Sequence, residues 1–443
     1  MRFLTKGSWL SIIPWLLFVG SFLLVTRAIV DGMQNNPLPP DLATYVRATE
    51  RIQQGDQLYF TPVATQAIWR TIHAIVPVNS IEHPEATALN NIPGPYLYPP
   101  TLALWYQRLG LTPVSWIWFG LAAVIGFAML WLGTLDDGTR GLRLFKASRS
   151  WWLLLVLCSV AVLSMIGTGN VESLLLFLTL LAARLLWSYQ RLWTAPIVGL
   201  LIALVVLVKP FYALFFVAFG LLVVATTVGE TRRVLRYLTM TAVYTWGAIA
   251  LDIWSWGASL RQQAFVYLGN ALAYQSYALP VAEQTPVSIW NRTAMQGLVA
   301  LGIAAPTAQQ FSLLLWGIGL GSTVWILRGR RLPFGLTFAL ALLLLYWGRP
   351  VGWGFVYMEM VVLSATWPLL NGWQRGVLLS STLLYMASHW IAFILTAQGV
   401  WLRLVTMQRA DLPWEAWFVA PIAWAILLMA AMNRPQQSKS LVA

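Results

Sequence analysis

The sequence predicts an all-α polytopic membrane protein with about 12 transmembrane helices, in the range 11–13. Three observations predict it. Hydrophobic residues are 59% of 443 and charged residues only 10%, far below the roughly 25% of a soluble domain. The apolar residues fall in long runs. The basic residues gather in every second connection between those runs, which is the positive-inside pattern.

The first run, Trp9–Val30, follows a basic start at Arg2 and Lys6. It has the length of a full span and no small-residue cleavage site, so a helix is expected there and not a removed leader. Further spans are expected at 114–135, 151–167, 170–188, 195–208, 211–228, 238–257, 308–327, 332–347, 352–370, 376–397 and 415–432. The shorter of these need kinks or tilt. A short polar tail, 433–443, follows.

The stretch 97–111 is apolar but short, begins with Pro99-Pro100 and carries Arg108. Charge decides its place. If it does not cross, Arg140, Arg143, Lys146, Arg149, Arg191, Arg232, Arg233, Arg236, Arg328, Arg330 and Arg331 all share one side with both termini. Only Asp136, Asp137 and Glu230 offset them there. If it crosses, the next basic loops fall on the wrong side. The expectation is an interfacial segment, cytoplasmic termini, a large first outer loop over 31–113 and a second outer loop over 258–307. The net charge of +13 then belongs to inner loops beside anionic membrane lipids, and no nucleic-acid partner is expected.

Within the first outer loop, 41–54 has helical periodicity, with Leu42, Tyr45, Val46, Thr49 and Ile52 on one face. Asp41 follows Pro39-Pro40 at an N-cap position. By position alone the cap is the favoured reading of this carboxylate. Lys209-Pro210 stands between two apolar runs at the outer mouth. Its bland reading is a lysine reaching to the interface. Its functional reading is a cation for a phosphate at the bilayer surface, beside backbone that the proline has freed. Arg349-Pro350 repeats that pattern, and Arg292 is a further outer cation. Arg47 and Arg51 lie one turn apart on the helix begun by Asp41. Glu172 follows Gly167-Thr168-Gly169-Asn170 at the outer end of a span. Asp252 and Glu359 lie in apolar runs, where carboxylates are functional by default, although Glu359 could pair with Arg349. The 26 tryptophans are mostly an aromatic belt. Among the outer ones, Trp254, Trp256, Trp290 and Trp353 are candidates to stack on sugars, with the belt as the favoured reading. His73, His83 and His389 lack metal-ligand spacing, the single Cys158 excludes disulfides, and neither a phosphate loop nor a hydrolase motif occurs.

Taken in order, the motifs resemble a family. They are DLATYVRATERIQQGDQLY from Asp41, YLYPPTLAL at 96–104, GTGNVESLLLFLTLLA at 167–182, LVKPFYALFF at 207–216, TPVSIWNRT at 285–293 and RPVGWGFVYMEMVVL at 349–363. The series resembles the DUF2029 family of polyprenol-phosphate-mannose-dependent alpha-mannosyltransferases, within the glycosyltransferase C superfamily. The resemblance implies a conserved seven-helix module over 1–257 with juxtamembrane helices in the loop 31–113. A second outer loop at 258–307, a variable helix module at 308–432 and a cytoplasmic tail at 433–443 would follow.

It also implies a function. An inverting membrane glycosyltransferase would move a hexose, mannose by the resemblance, from a polyprenyl-phosphate sugar donor to a lipid-linked or cell-envelope glycan acceptor. Asp41 matches the family's catalytic base, which reverses the preference for a mere cap. Lys209, with Arg292 and Arg349, would bind the donor phosphate. Tyr45, Arg47, Tyr98, Asn170, Glu172 and Trp353, in or beside the motifs, are the substrate-binding candidates. The enzyme would sit in the plasma membrane with its site outside the cell. A lone Asp without a DxD pair implies no metal, and no cofactor is expected. One departure stands out: after Pro350-Val351-Gly352-Trp353 come Gly354, Phe355 and Val356, where the family commonly carries histidine. The alternatives are a lipid or sugar transporter or flippase, which would show repeated halves, and an O-antigen ligase or polymerase, which would place its large loop late.

Overall fold

The computed structural model describes residues 40–59, 98–134, 169–188, 191–227, 229–272, 302–330 and 332–348, with a few isolated positions elsewhere. The expected spans at 9–30, 151–167, 352–370, 376–397 and 415–432 lie outside them, apart from single positions. So do Arg292, Arg349, Trp353 and Glu359. Among the described residues every regular element is helical.

The first helix, α1 (Pro40–Gln54), buries Leu42, Tyr45, Ala48 and Thr49, so the predicted stripe is its packed face. It begins one residue earlier than expected. Pro40 supplies the fixed φ of a first helical turn, and Asp41 is therefore inside that turn and not the cap. The dipole favours an acid there too.

Helix α2 (Pro100–Arg108) has nine residues, roughly 13 Å of rise, which is far short of a bilayer. The segment 97–111 is thus a short helix that cannot span. It packs on α1, where the Thr49 hydroxyl donates to the Ala103 carbonyl at 3.1 Å.

Helix α3 (Pro113–Thr134) opens with a reciprocal cap. The Thr112 N–H donates to Ser115 Oγ at 2.8 Å, and the Ser115 N–H donates to Thr112 Oγ1 at 3.2 Å. Both orphan donors are satisfied locally. The remaining apolar helices are α4 (Glu172–Ser188), α5 (Ala195–Val208), α6 (Tyr212–Thr226), α7 (Thr231–Ser255), α9 (Ala305–Leu327) and α10 (Phe334–Gly348). They fall where the apolar runs predicted them. Among the described residues two helices, α3 and α9, are long and apolar enough to cross a membrane.

Two boundaries depart from expectation. Helix α7 starts seven residues before 238, because Val234 and Tyr237 are buried while Arg232, Arg233 and Arg236 stay outside the packing. The charges hide the helix from a hydropathy reading. The expected outer loop 258–307 opens with a further helix, α8 (Ala258–Leu272). Gly257, at φ +82°, separates it from α7. Its Phe265 and Val266 are exposed, so no clean apolar stripe announced it.

The long helices run up and down, and contacts between their ends define two sides. Trp131 of α3 packs on Phe334 and Phe338 at the start of α10, and Arg184 of α4 lies over Phe334. Thr194, just before α5, bonds Tyr237 early in α7. The Gly329 N–H after α9 donates to Ala225 O near the end of α6 at 2.8 Å. That side holds Arg184, Arg191, Arg232, Arg233, Arg236, Arg328 and Arg330. The other side holds the starts of α3, α4, α6 and α9 and the ends of α5, α7 and α10.

The core between them is apolar and aromatic, centred on Phe215, Phe219, Phe334 and Phe338. The outward surface is apolar as well: Trp118 and Phe119 on α3, Trp246 and Leu251 on α7, Ile318 and Trp325 on α9 are all exposed. So extensive an exposed apolar surface marks contact with lipid or another apolar partner.

Candidate functional site

The less basic side collects most of the sequence-predicted residues. Its centre is the loop before α4. Gly169 has φ +74°, a left-handed conformation that glycine adopts without cost. A Cβ there would sit 2.9 Å from the Leu42 Cβ of α1. The GTGN motif thus lets α1 approach closely, one residue from Asp41. The Gly169 carbonyl accepts the Trp116 indole N–H at 2.7 Å, which ties the loop to α3.

Asn170 then turns the chain into α4: its Oδ1 accepts the Glu172 N–H at 2.9 Å. Asn170 is buried and acts as a local turn former. Tyr45 is fully buried, with its hydroxyl 3.3 Å from that of Tyr98 and accepting the Val171 N–H at 3.4 Å. Its ring packs edge-on against Tyr98 and Trp116. Tyr45 and Asn170, both substrate-binding candidates, hold α1, α3 and α4 together here.

Glu172 has 0% side-chain exposure. Its Oε2 lies 2.5 Å from Lys209 Nζ, and its Oε1 accepts the Tyr212 hydroxyl at 2.6 Å. The start of α4 favours the carboxylate through the helix dipole. Glu172 is thus an inward-turned counter-ion, and sequence spacing gave no hint of its partner. Lys209 ends α5 in extended backbone, φ −134° and ψ 95°, because Pro210 cannot continue the helix. Its ammonium stands 5.6 Å from the centre of the Tyr98 ring, and the side chain keeps 12% exposure. The ammonium thus has a carboxylate on one side and an aromatic face on another.

Tyr98 is held in turn by Tyr59, whose hydroxyl donates to the Tyr98 carbonyl at 2.9 Å. The Leu58 N–H donates to Gln263 Oε1 of α8 at 2.8 Å. Arg47 and Arg51 lie half-buried on α1. Burial lowers the Arg51 guanidinium, Asp56 raises it, and Arg47 lowers it further. Asp41 is in the first turn of α1. Arg349 is outside the described residues, but Gly348 before it packs against Leu214 of α6: a Cβ there would meet Leu214 Cδ1 at 2.8 Å. Trp254 is exposed, whereas Trp256 is buried and donates its indole N–H to Asp252 Oδ2 at 2.8 Å, so Trp256 is not free to stack on a sugar. No group of His, Cys, Asp and Glu suited to a metal occurs among the described residues.

No protein-family model, curated protein or solved structure matches this chain.

Proposed function

We propose that this chain is a multi-pass membrane glycosyltransferase. It transfers a hexose, mannose by the motif resemblance, from a polyprenyl-phosphate sugar to a lipid-linked or cell-envelope glycan. In this reading both termini are cytoplasmic, and the working face lies outside the cell at the side opposite the arginine-rich one. The basic partition of the helix ends and the apolar outer surface support that orientation.

The observation that carries the reading is the placement of Lys209. It is a half-buried cation at a broken helix end, paired with Glu172, on the side where Leu42 of α1, the residue after Asp41, packs against the Gly169 loop. Asp41 takes the proton from the acceptor hydroxyl, which attacks the anomeric carbon with inversion. Negative charge grows on the departing polyprenyl phosphate. Lys209 stabilises it there, already oriented by Glu172 and Tyr98, with Arg292 and Arg349 as further cations. Arg47 of α1 is placed for the substrate on the same side.

Purified protein in nanodiscs, incubated with a panel of polyprenyl-phosphate sugars and a glycan acceptor, tests this. Release of polyprenyl phosphate together with a new glycosidic bond is expected for one donor. Movement of donor across a bilayer without a glycosidic product identifies a flippase instead.

A further inference from the structure

Among the described carboxylates that the reading above leaves unused, Asp252 is half-buried, whereas Glu50, Asp56 and Glu230 are exposed. It lies on α7, and its Oδ2 accepts the Thr101 hydroxyl of α2 at 2.5 Å and the Trp256 indole N–H at 2.8 Å. Both donors are neutral and share one oxygen. Among the described residues no Lys, Arg or His pairs with Asp252, in contrast to Glu172 and Glu230. Among the described residues its Oδ1 takes no hydrogen bond, and Asp252 is only half-buried. A partly buried carboxylate with one oxygen spent and one open is poised for a hydrogen-bond donor from outside the chain.

Its depth is fixed by the packing of α5 on α7. These helices run parallel, with Thr194 bonded to Tyr237 at one end. Further along, a Cβ on Gly199 would meet Tyr244 Cβ at 2.7 Å and the Thr241 carbonyl at 2.9 Å, so the backbones touch there. Parallel helices of equal rise keep that register. Ten residues on from Gly199 is Lys209; ten on from Thr241–Thr245 is the turn that holds Asp252. The open carboxylate is therefore level with the lysine, on the neighbouring helix. Tyr98 lies against Lys209, and three residues further along that strip of chain Thr101 lies against Asp252.

We propose that Asp252 binds a hydroxyl of the acceptor saccharide, at the same depth as the phosphate-binding lysine. The assignment rests on the glycosyltransferase reading and adds an acceptor contact to it. The ligand class is a neutral polyol. Trp256 donates to the carboxylate and ties it to the α7 end.

The test titrates wild-type protein in nanodiscs with α-1,6-mannobiose and follows the heat of binding by calorimetry. Asp252→Asn keeps an oxygen for Thr101 and Trp256 but removes the charge. It should weaken mannobiose binding roughly tenfold, the worth of a hydrogen bond to a charged group. In turnover it should raise the acceptor KM by a similar factor, with the donor KM unchanged. Thr101→Val removes only the clamp and should lower Tm while leaving mannobiose affinity within about twofold. Equal affinity in wild type and Asp252→Asn overturns the proposal. So does an equal loss in Thr101→Val, or a wild-type response to methylammonium and not to mannobiose. If the wild type transfers no sugar from any donor, the glycosyltransferase reading falls. The binding titration then still decides the Asp252 contact by itself.

Discussion

Glu172 and Lys209 join the first residue of α4 to the end of α5 through a 2.5 Å ion pair, with the carboxylate fully buried. Neither charge would be tolerated alone at that depth, since desolvating an unpaired ion costs several kcal/mol. The pair, completed by Tyr212 and Tyr98, holds the lysine in one place. Breaking one partner strands the other. Glu172→Gln should lower stability by about 3 kcal/mol. Lys209→Met in the same chain should recover much of that loss, because both charges are then gone. Thermal unfolding in detergent reads the cycle, and independent, additive losses would contradict the pairing.

Gly169 predicts a contrast between two glycines. Gly169 has φ +74° with Leu42 2.9 Å from its missing Cβ, while Gly110 has φ +56° and open space around it. Gly110→Ala should cost about 1 kcal/mol, the conformational strain alone. Gly169→Ala should cost roughly 1–3 kcal/mol more, because α1 must move. Equal losses would mean that α1 does not depend on this approach.

Gly199 sets the register of α5 on α7. Alanine is the better helix former by roughly 1 kcal/mol. The clash with the Thr241 carbonyl at 2.9 Å and Tyr244 Cβ at 2.7 Å should outweigh that gain. Gly199→Ala is expected to lower Tm. It should also speed amide exchange along α7, since the two backbones can no longer stay in contact. An unchanged or raised Tm would mean that the two helices do not touch here.

Tyr106 on α2 has a buried hydroxyl with no partner among the described residues, and burial raises its phenol above the ordinary value. In the unfolded chain the phenol ionises near its ordinary value, about 10. Stability contributed by keeping it neutral is therefore full below that pH and is lost as pH rises above it. Tyr106→Phe should be neutral or stabilising at pH 7. It should also flatten the fall in Tm above about pH 10. A Tm profile identical to wild type at high pH would remove Tyr106 as a cause of alkaline sensitivity.

The sequence made some of this legible and hid the rest for physical reasons. Apolar runs located α3, α4, α5, α6, α9 and α10, because a helix with apolar sides all round needs no periodicity to be seen. A periodic stripe from Leu42 to Ile52 located α1, and charge placement decided that 97–111 should not be drawn as a span. The start of α7 was hidden by arginines that point away from the packing, and α8 by its exposed Phe265 and Val266. The Glu172–Lys209 pair joins residues far apart in the chain, across a helix reversal that no spacing rule describes. Trp256 looked like a sugar-stacking residue and is instead a buried donor to Asp252. Tyr45 and Asn170 carry polar groups that the fold consumes for itself.

The role of Asp41 is tested most directly by Asp41→Asn. The substitution keeps the size of the side chain at the second residue of α1 and removes the base. Transfer from a polyprenyl-phosphate sugar to the glycan acceptor should fall by roughly two to four orders of magnitude in kcat. Tm should stay near wild type and the donor should still bind. Full transfer activity in Asp41→Asn would contradict the assignment of Asp41 as the base.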